Sequence, residues 1–363
     1  MRNSPFATDI SCDSKAFLDC LRRQGTPLRV HFIELFLDEE VRQALLKRYH
    51  LADDLNPDDP FFYPKTQIAL QRFLGYDYVS CGAGNYDYSL SYFSAEDTAD
   101  LKRREGRDYI NEHRGPITNW EEFEKYPWPD TNKITLDEIQ WYEENLPEDM
   151  CLIAWDQFGA YAELITWLMG YETLCFALYE QRDLVRAISE RLIKIGENVL
   201  GRLLEFERVK IVWSSDDMGY KTGTLIAPDD LREFALSGHK RMAQLAHQAG
   251  KPYLLHSCGK LDDIMEDLIV DIGMDGKHSF EDTIENVIDV KQQYGDRLTL
   301  LGGIDVDFLC RADEAQIRRR VRETLEKCMP GGGYCLGTGN TVANYIPVEN
   351  YLIMLDEGRN FSP

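Results

Sequence analysis

The sequence His256-Ser257-Cys258-Gly259 follows the apolar run Tyr253-Leu254-Leu255, and Cys335 follows Gly331-Gly332-Gly333-Tyr334, 77 residues beyond Cys258. One imidazole and two thiols just past two strand-like runs make a candidate three-ligand zinc site with the fourth position open, as a catalytic zinc requires. The spacing of two lets alternate side chains of an extended segment point the same way, so His256 and Cys258 can face one ion. Spacing alone also allows a chance His-x-Cys and a core thiol at Cys335.

Other polar residues also stand directly after apolar runs. Ser214-Ser215-Asp216-Asp217-Met218-Gly219 follows Val209–Trp213. Carboxylates of Asp216 and Asp217 there could bind the metal, accept a proton or orient the histidine ligand, or could simply belong to a solvated turn. Glu34 lies inside Phe32-Ile33-Glu34-Leu35-Phe36, where an ionised carboxylate needs a partner. A fourth zinc ligand, a general acid with a raised pKa and half of a structural ion pair are its three readings. His278, in Lys277-His278-Ser279-Phe280-Glu281-Asp282, and Asp305, after Gly302-Gly303-Ile304, read as pocket lining or as caps and loop solvation; Asp282 before Thr283 reads as a cap. The Gly-rich stretches match neither GxGxxG nor GxxxxGK[ST], and GxSxG and HExxH are absent, which argues against nucleotide binding and two common hydrolase classes.

The elements that must position these residues are legible as short apolar runs and helical periods. Eight runs read as buried strands: Leu28–Leu35, Asp77–Cys81, Met150–Trp155, Val209–Ser214, Pro252–His256, Met274–Lys277, Leu298–Gly302 and Gly333–Leu336. Helical periods fall at Asp183–Phe206, Pro228–Ala249, Leu261–Ile272, Ile284–Tyr294, Ala312–Cys328 and Val348–Glu357. Strand and helix alternate, which predicts a parallel sheet closed into a (β/α)8 TIM barrel. Residues 50–150, with Asn56-Pro57-Asp58-Asp59-Pro60, Tyr86–Phe93 and Trp120–Asp130, read as helical and loop insertions over the C-terminal face. No linker divides the chain, so one domain over 1–363 is expected.

The formal charge of −23, from 63 acids and 40 bases, disfavours nucleic acid and anionic membrane as partners. No apolar run approaches the roughly 20 residues of a membrane span, and no export signal is visible. A cytoplasmic protein with reduced thiols is expected, since the nine cysteines form no disulfide framework.

The stretches SSDDMGYKTGTLIAPDDLREF, GKPYLLHSCGKLDDIMEDLIVDIGMDGKHSFED, YGDRLTLLGGIDVDFL and PGGGYCLGTGNTVANYIPVEN resemble the uroporphyrinogen decarboxylase superfamily. WEEFEKYPWPD and VHFIELFLDEEV add weaker likeness. The resemblance implies a (β/α)8 barrel. True decarboxylases of this superfamily carry an Arg-rich RxAGRY-like segment and a histidine in an LGHG-like motif; here VHFIELF has no such arginines, and Leu336-Gly337-Thr338-Gly339 replaces the second motif. The superfamily's zinc-dependent corrinoid methyltransferases carry His-x-Cys and a distant Cys, to which His256, Cys258 and Cys335 are similar. That likeness implies methyl transfer between a small substrate, such as a methoxylated aromatic or a methylamine, and a corrinoid carried by a partner protein. Glu34, Asp216 and Asp217 then become catalytic candidates, and His278, Asp305 and Tyr92, from the aromatic stretch, substrate-binding candidates. The competing readings are a metal-free porphyrinogen decarboxylase and a non-catalytic tetrapyrrole- or corrinoid-binding protein.

Overall fold

The computed structural model describes residues 4–103, 106–111, 113–155 and 157–362. Eleven strands occur among them: β1 Tyr78–Cys81, β2 Tyr92–Ala95, β3 Arg107–Ile110, β4 Cys151–Trp155, β5 Val209–Ser215, β6 Gly219–Tyr220, β7 Gly223–Thr224, β8 Tyr253–His256, β9 Gly276–His278, β10 Thr299–Leu301 and β11 Tyr334–Cys335. Seven form one curled sheet in the order β1-β4-β5-β8-β9-β10-β11, with every neighbouring pair parallel. Their residues are almost all buried, as expected of parallel strands covered by crossover helices.

The eighth expected strand, Leu28–Leu35, forms no regular ladder. It joins the sheet through a single parallel bridge, Phe32 to Leu336, flanked by Ile33 N–H to the Leu336 carbonyl at 2.9 Å and Leu336 N–H to the His31 carbonyl at 2.8 Å. On its other flank the Tyr78 hydroxyl bonds both the N–H and the carbonyl of Glu34 at 2.9 Å. A side chain thus occupies the place of a backbone ladder between this stave and β1. The fold is the expected α/β barrel with one loosely stitched seam.

The helices obey the amphipathic pattern that marks them. Arg182–Leu203 buries Leu184, Val185, Ile188, Leu192, Ile195 and Val199, a stripe at spacings of three and four. The Pro228–Ala249 and Leu261–Ile272 periods contain π-helical turns at Arg232–Leu236 and Asp267–Ile272, local widenings that period-counting does not distinguish from α-helix. A helix not expected from the sequence, Ser14–Leu21, is capped by the Asp13 side chain on Ala16 N–H. Its end meets the starts of two strands: the Cys20 carbonyl accepts from Gly333 N–H at 3.0 Å and the Leu21 carbonyl from the Thr299 hydroxyl at 2.7 Å. It therefore plugs the N-terminal mouth of the barrel.

Residues 50–150 are more regular than expected. They hold β1, the helices Phe62–Leu74, Trp120–Lys125 and Asp137–Asn145, and the antiparallel β2–β3 hairpin. No helix among the described residues is long and apolar enough to cross a membrane.

Candidate metal centre

His256 is the last residue of β8, and two loops beyond strand ends meet around it. Gly219 N–H donates to the Cys258 carbonyl at 3.1 Å and Lys260 N–H to the Tyr220 carbonyl at 2.8 Å. Gly259 makes this approach possible: its φ is +82°, and a Cβ there would lie 2.2 Å from the Gly219 carbonyl carbon, a conformation and a closeness that glycine alone tolerates. The contact brings Asp217 onto Cys258, whose N–H donates to the Asp217 carboxylate at 2.8 Å.

The ligating atoms of Asp217, His256 and Cys258 all lie within 4.8 Å of one another. His256 Nε2 is 3.4 Å from Cys258 Sγ and 3.4 Å from Asp217 Oδ1. Tetrahedral zinc with bonds of about 2.0 Å to nitrogen or oxygen and 2.3 Å to sulfur separates N from S by about 3.5 Å and N from O by about 3.3 Å. The donor set and its spacing therefore fit such an ion. Burial alone would raise the Asp217 carboxyl, but His256 and the Cys258 N–H hold it below its ordinary value. Burial, with the nearby Asp217 charge, pushes the Cys258 thiol up to about 12, so a cation is what would favour its thiolate.

The surroundings orient these ligands. His256 Nδ1 lies 2.7 Å from His278 Nδ1. Burial, together with the His256 and Lys277 charges, drives the His278 pKa well below the ordinary histidine value, so His278 is neutral. A His256 Nδ1–H donating to that ring leaves the Nε2 lone pair facing Asp217 and Cys258, the tautomer a metal ligand needs. The Cys258 sulfur accepts from Asn340 Nδ2 at 3.2 Å and from the Ser279 hydroxyl at 3.4 Å.

Asp217 also lines a cavity of about 900 Å³ with Ile110, Glu163, Thr166, Trp167, Tyr171, Tyr220, Thr224 and Asp263 among its walls. Among the described residues, no Lys or Arg lines it. Burial, with the charges of Asp217 and Asp216, keeps the Glu163 carboxyl well above the ordinary carboxylate range.

The cluster departs from the expected triad. Cys335 shares the ladder row of His256, through His278 and Leu301, but barrel strands are tilted and staggered, so one row shifts along the barrel axis from strand to strand. The Cys335 thiol is fully buried and bonds to Cys20 of the plug helix, away from the His256 group. Sequence spacing registered its strand and missed the tilt. Asp217 takes its place in the donor set, and Asn340, five residues later, is the group that the β11 loop delivers.

Asp216 faces away from Asp217. Its carboxylate accepts from Ala162 N–H and Glu163 N–H at 2.9 Å, capping the helix Tyr161–Met169, and sits 2.8 Å from His239 Nε2. Its carboxylate is committed to these structural contacts, away from the donor set. Asp305 likewise accepts from Phe308 N–H at 2.8 Å and Asp282 N–H at 2.9 Å, so it caps the helix Val306–Arg311, and it also lines a separate cavity with Phe280, Phe308 and Asn340. Asp282 is no helix N-cap: Asn286 caps Val287–Tyr294, and Asp282 pairs with Arg320 at 2.6 Å. His278 backs His256 and is fully buried. Tyr92 is 55% exposed on the β2–β3 hairpin, opposite Ile110, which lines the cavity. Glu34 is buried without a cation partner among the described residues; its carboxylate accepts from Thr338 N–H at 2.8 Å and the Thr338 hydroxyl at 2.5 Å. Burial, only partly offset by these two bonds, pushes its pKa up to about 8. Glu163 was missed by the sequence reading, although a glutamate in the apolar run Tyr161-Ala162-Glu163-Leu164-Ile165 carried the same signal as Glu34.

Residues 104–361 match the family model described as uroporphyrinogen decarboxylase (URO-D). The chain belongs to the URO-D family. Among solved structures, this URO-D family protein resembles a methyltransferase from Methanosarcina mazei, with a TM-score of 0.68 and 16% identity over 97% of this chain and 99% of that one. It also resembles a Listeria monocytogenes protein named "Putative Vitamin-B12 Independent Methionine Synthase", with a TM-score of 0.51 and 12% identity over 93% and 98% of the two chains. At these identities the likeness establishes the barrel fold. No curated protein sequence matches the chain.

Proposed function

We propose that this protein is a zinc-dependent methyltransferase of the cytoplasm that moves a methyl group between a small substrate and a corrinoid carried by a partner protein. The observation that carries the reading is the Asp217, His256 and Cys258 donor set, of which Asp217 lines the 900 Å³ cavity. Asp217, His256 and Cys258 would hold the ion. Zinc there supplies Lewis acidity toward the oxygen, nitrogen or sulfur that carries or receives the methyl group. His278 fixes the His256 ring, and Asn340 and Ser279 hold the Cys258 sulfur.

The cavity's walls support this reading over decarboxylation. Trp167, Tyr171 and Tyr220 offer flat apolar surface, Asp217 and Asp263 give it negative charge, Glu163 is held in its protonated form by burial, and no Lys or Arg is among the described lining residues. Such a pocket suits a neutral or cationic methyl donor, such as an aryl methyl ether or a methylamine. It repels a porphyrinogen bearing several carboxylates. Metal analysis tests the proposal: about one zinc per chain is expected, lost in His256→Ala and Cys258→Ser and kept in Cys335→Ser. Full metal content in both of the first two variants would overturn it.

A further inference from the structure

One short segment, Lys277-His278-Ser279, supplies hydrogen bonds to two of the three proposed ligands, and a buried ammonium holds it in shape. Side chains alternate along β9, so His278 turns to His256 while Lys277 turns to the opposite side. Lys277 is only 2% exposed. Its ammonium donates to the Ser279 carbonyl at 2.7 Å, pairs with Glu285 at 3.1 Å and lies 4.2 Å from the centre of the Phe280 ring. Three N–H groups thus meet three partners, which is what a buried ammonium needs.

The Ser279 backbone explains why a charge is placed there. Its φ is +88°, a left-handed conformation that an ordinary L-residue holds only when its surroundings enforce it. Lys277 fastens the carbonyl of the strained residue. Phe280 N–H, donating to the Gly339 carbonyl at 2.9 Å, fastens the following peptide. The result is the Ser279 hydroxyl on Cys258 Sγ, with Asn340, the neighbour of Gly339, on the same sulfur.

We infer that Lys277 is a positioning residue for the cation site: by holding the Ser279 carbonyl, it maintains the strained turn that aims the Ser279 hydroxyl at the Cys258 sulfur. The inference rests on the reading of Asp217, His256 and Cys258 as a cation site. The alternative is that Lys277 and Glu285 are a buried ion pair that serves stability alone.

A double-mutant cycle on the full-length protein, stripped with chelator, separates the two. Zn²⁺ affinity is measured by competition with a chromophoric chelator, and Co²⁺ binding by its thiolate charge-transfer absorption. Ser279→Ala is expected to weaken Zn²⁺ binding about tenfold, within the range for lost outer partners of a ligand, and to shift the Co²⁺ band. Removing the ammonium as Lys277→Met with Glu285→Gln, so that no charge is left unpaired, is expected to do the same. Combining it with Ser279→Ala should add nothing, because both act through one hydroxyl. Losses that multiply in the combined variant would overturn the inference, as would an unchanged affinity in Ser279→Ala. Should the Met and Gln pair not fold, Lys277→Arg keeps a donor for the carbonyl and must keep the wild-type Co²⁺ band; a band shifted as in Ser279→Ala would overturn the inference. Wild-type protein that binds neither ion would overturn the cation-site reading, and this inference with it.

Discussion

Replacing Glu34 by Gln isolates the energetic consequence of burying a carboxyl without a cation. The amide is nearly isosteric: its oxygen can accept from Thr338 N–H and its NH₂ can donate to the Thr338 hydroxyl, preserving both contacts of the native side chain. The Glu34 pKa is about 8 against an ordinary 4.5. Because the folded value is the higher one, the group's contribution to stability is fully present below pH 4.5 and is lost as pH rises toward 8. At about 1.4 kcal/mol per unit, wild type should lose roughly 3.5 kcal/mol relative to Glu34→Gln between pH 5 and pH 8. Urea denaturation of both proteins at half-unit steps of pH measures the difference directly, and it should rise steadily and level off above pH 8. Parallel pH profiles for the two proteins would refute the reasoning, for they would mean that Glu34 is as free to ionise when folded as when unfolded.

Two further substitutions test the supports of the site. Asp216→Asn leaves Ala162 N–H, Glu163 N–H and His239 competing for one acceptor oxygen where two charged ones stood; a loss of about 3 kcal/mol in chemical denaturation, with zinc content unchanged, is expected, and loss of zinc without loss of stability would contradict its placement. A Cβ on Gly339 would stand 2.0 Å from the Phe280 carbonyl oxygen, so Gly339→Ala must push the β11 loop from the β9 loop. It is expected to lower thermal stability and weaken Zn²⁺ binding together, and an unchanged Tm would show that the close approach is absent.

The sequence reading reached the barrel because buried parallel strands and amphipathic helices write periodic signals into the chain. Seven of the eight runs became strands in one sheet. The eighth carried the same apolar signal, but the seam is made by the Tyr78 hydroxyl on Glu34, and no local pattern reports which side chain will stand between two staves. His256 and Cys258 were legible because both belong to one short segment, where spacing translates directly into direction. Cys335 was not, because its relation to them depends on tilt accumulated across β9 and β10. Asp216 and Asp217 show the same limit on the smallest scale. Two adjacent carboxylates looked equivalent, and alternation sent one to a helix N-terminus and the other to the cavity. Asn340 and Ser279 matter only through the turn that Gly339 and Lys277 hold, which is a tertiary fact.

The seam also bears on which chemistry a URO-D barrel of this kind can perform. Thr338 stands in Leu336-Gly337-Thr338-Gly339, where the resembled decarboxylases place a histidine, and both its N–H and its hydroxyl are committed to Glu34. Gly337 lets this happen: a Cβ there would lie 1.8 Å from the Ile33 carbonyl oxygen, so the loop and the first stave meet too closely for any side chain. The position is thus closed by a neutral carboxyl and a threonine, and cannot present an imidazole to a substrate. Polar chemistry at the C-terminal face is displaced across the barrel to the β5 and β8 loops, where Asp217, His256 and Cys258 converge. A site whose strongest donors are one imidazole, one carboxylate and one thiol, beside a cavity with no Lys or Arg among its described lining residues, suits a cation better than an anion. Its described lining residues offer no fixed positive charge of the kind that gripping the several carboxylates of a porphyrinogen demands.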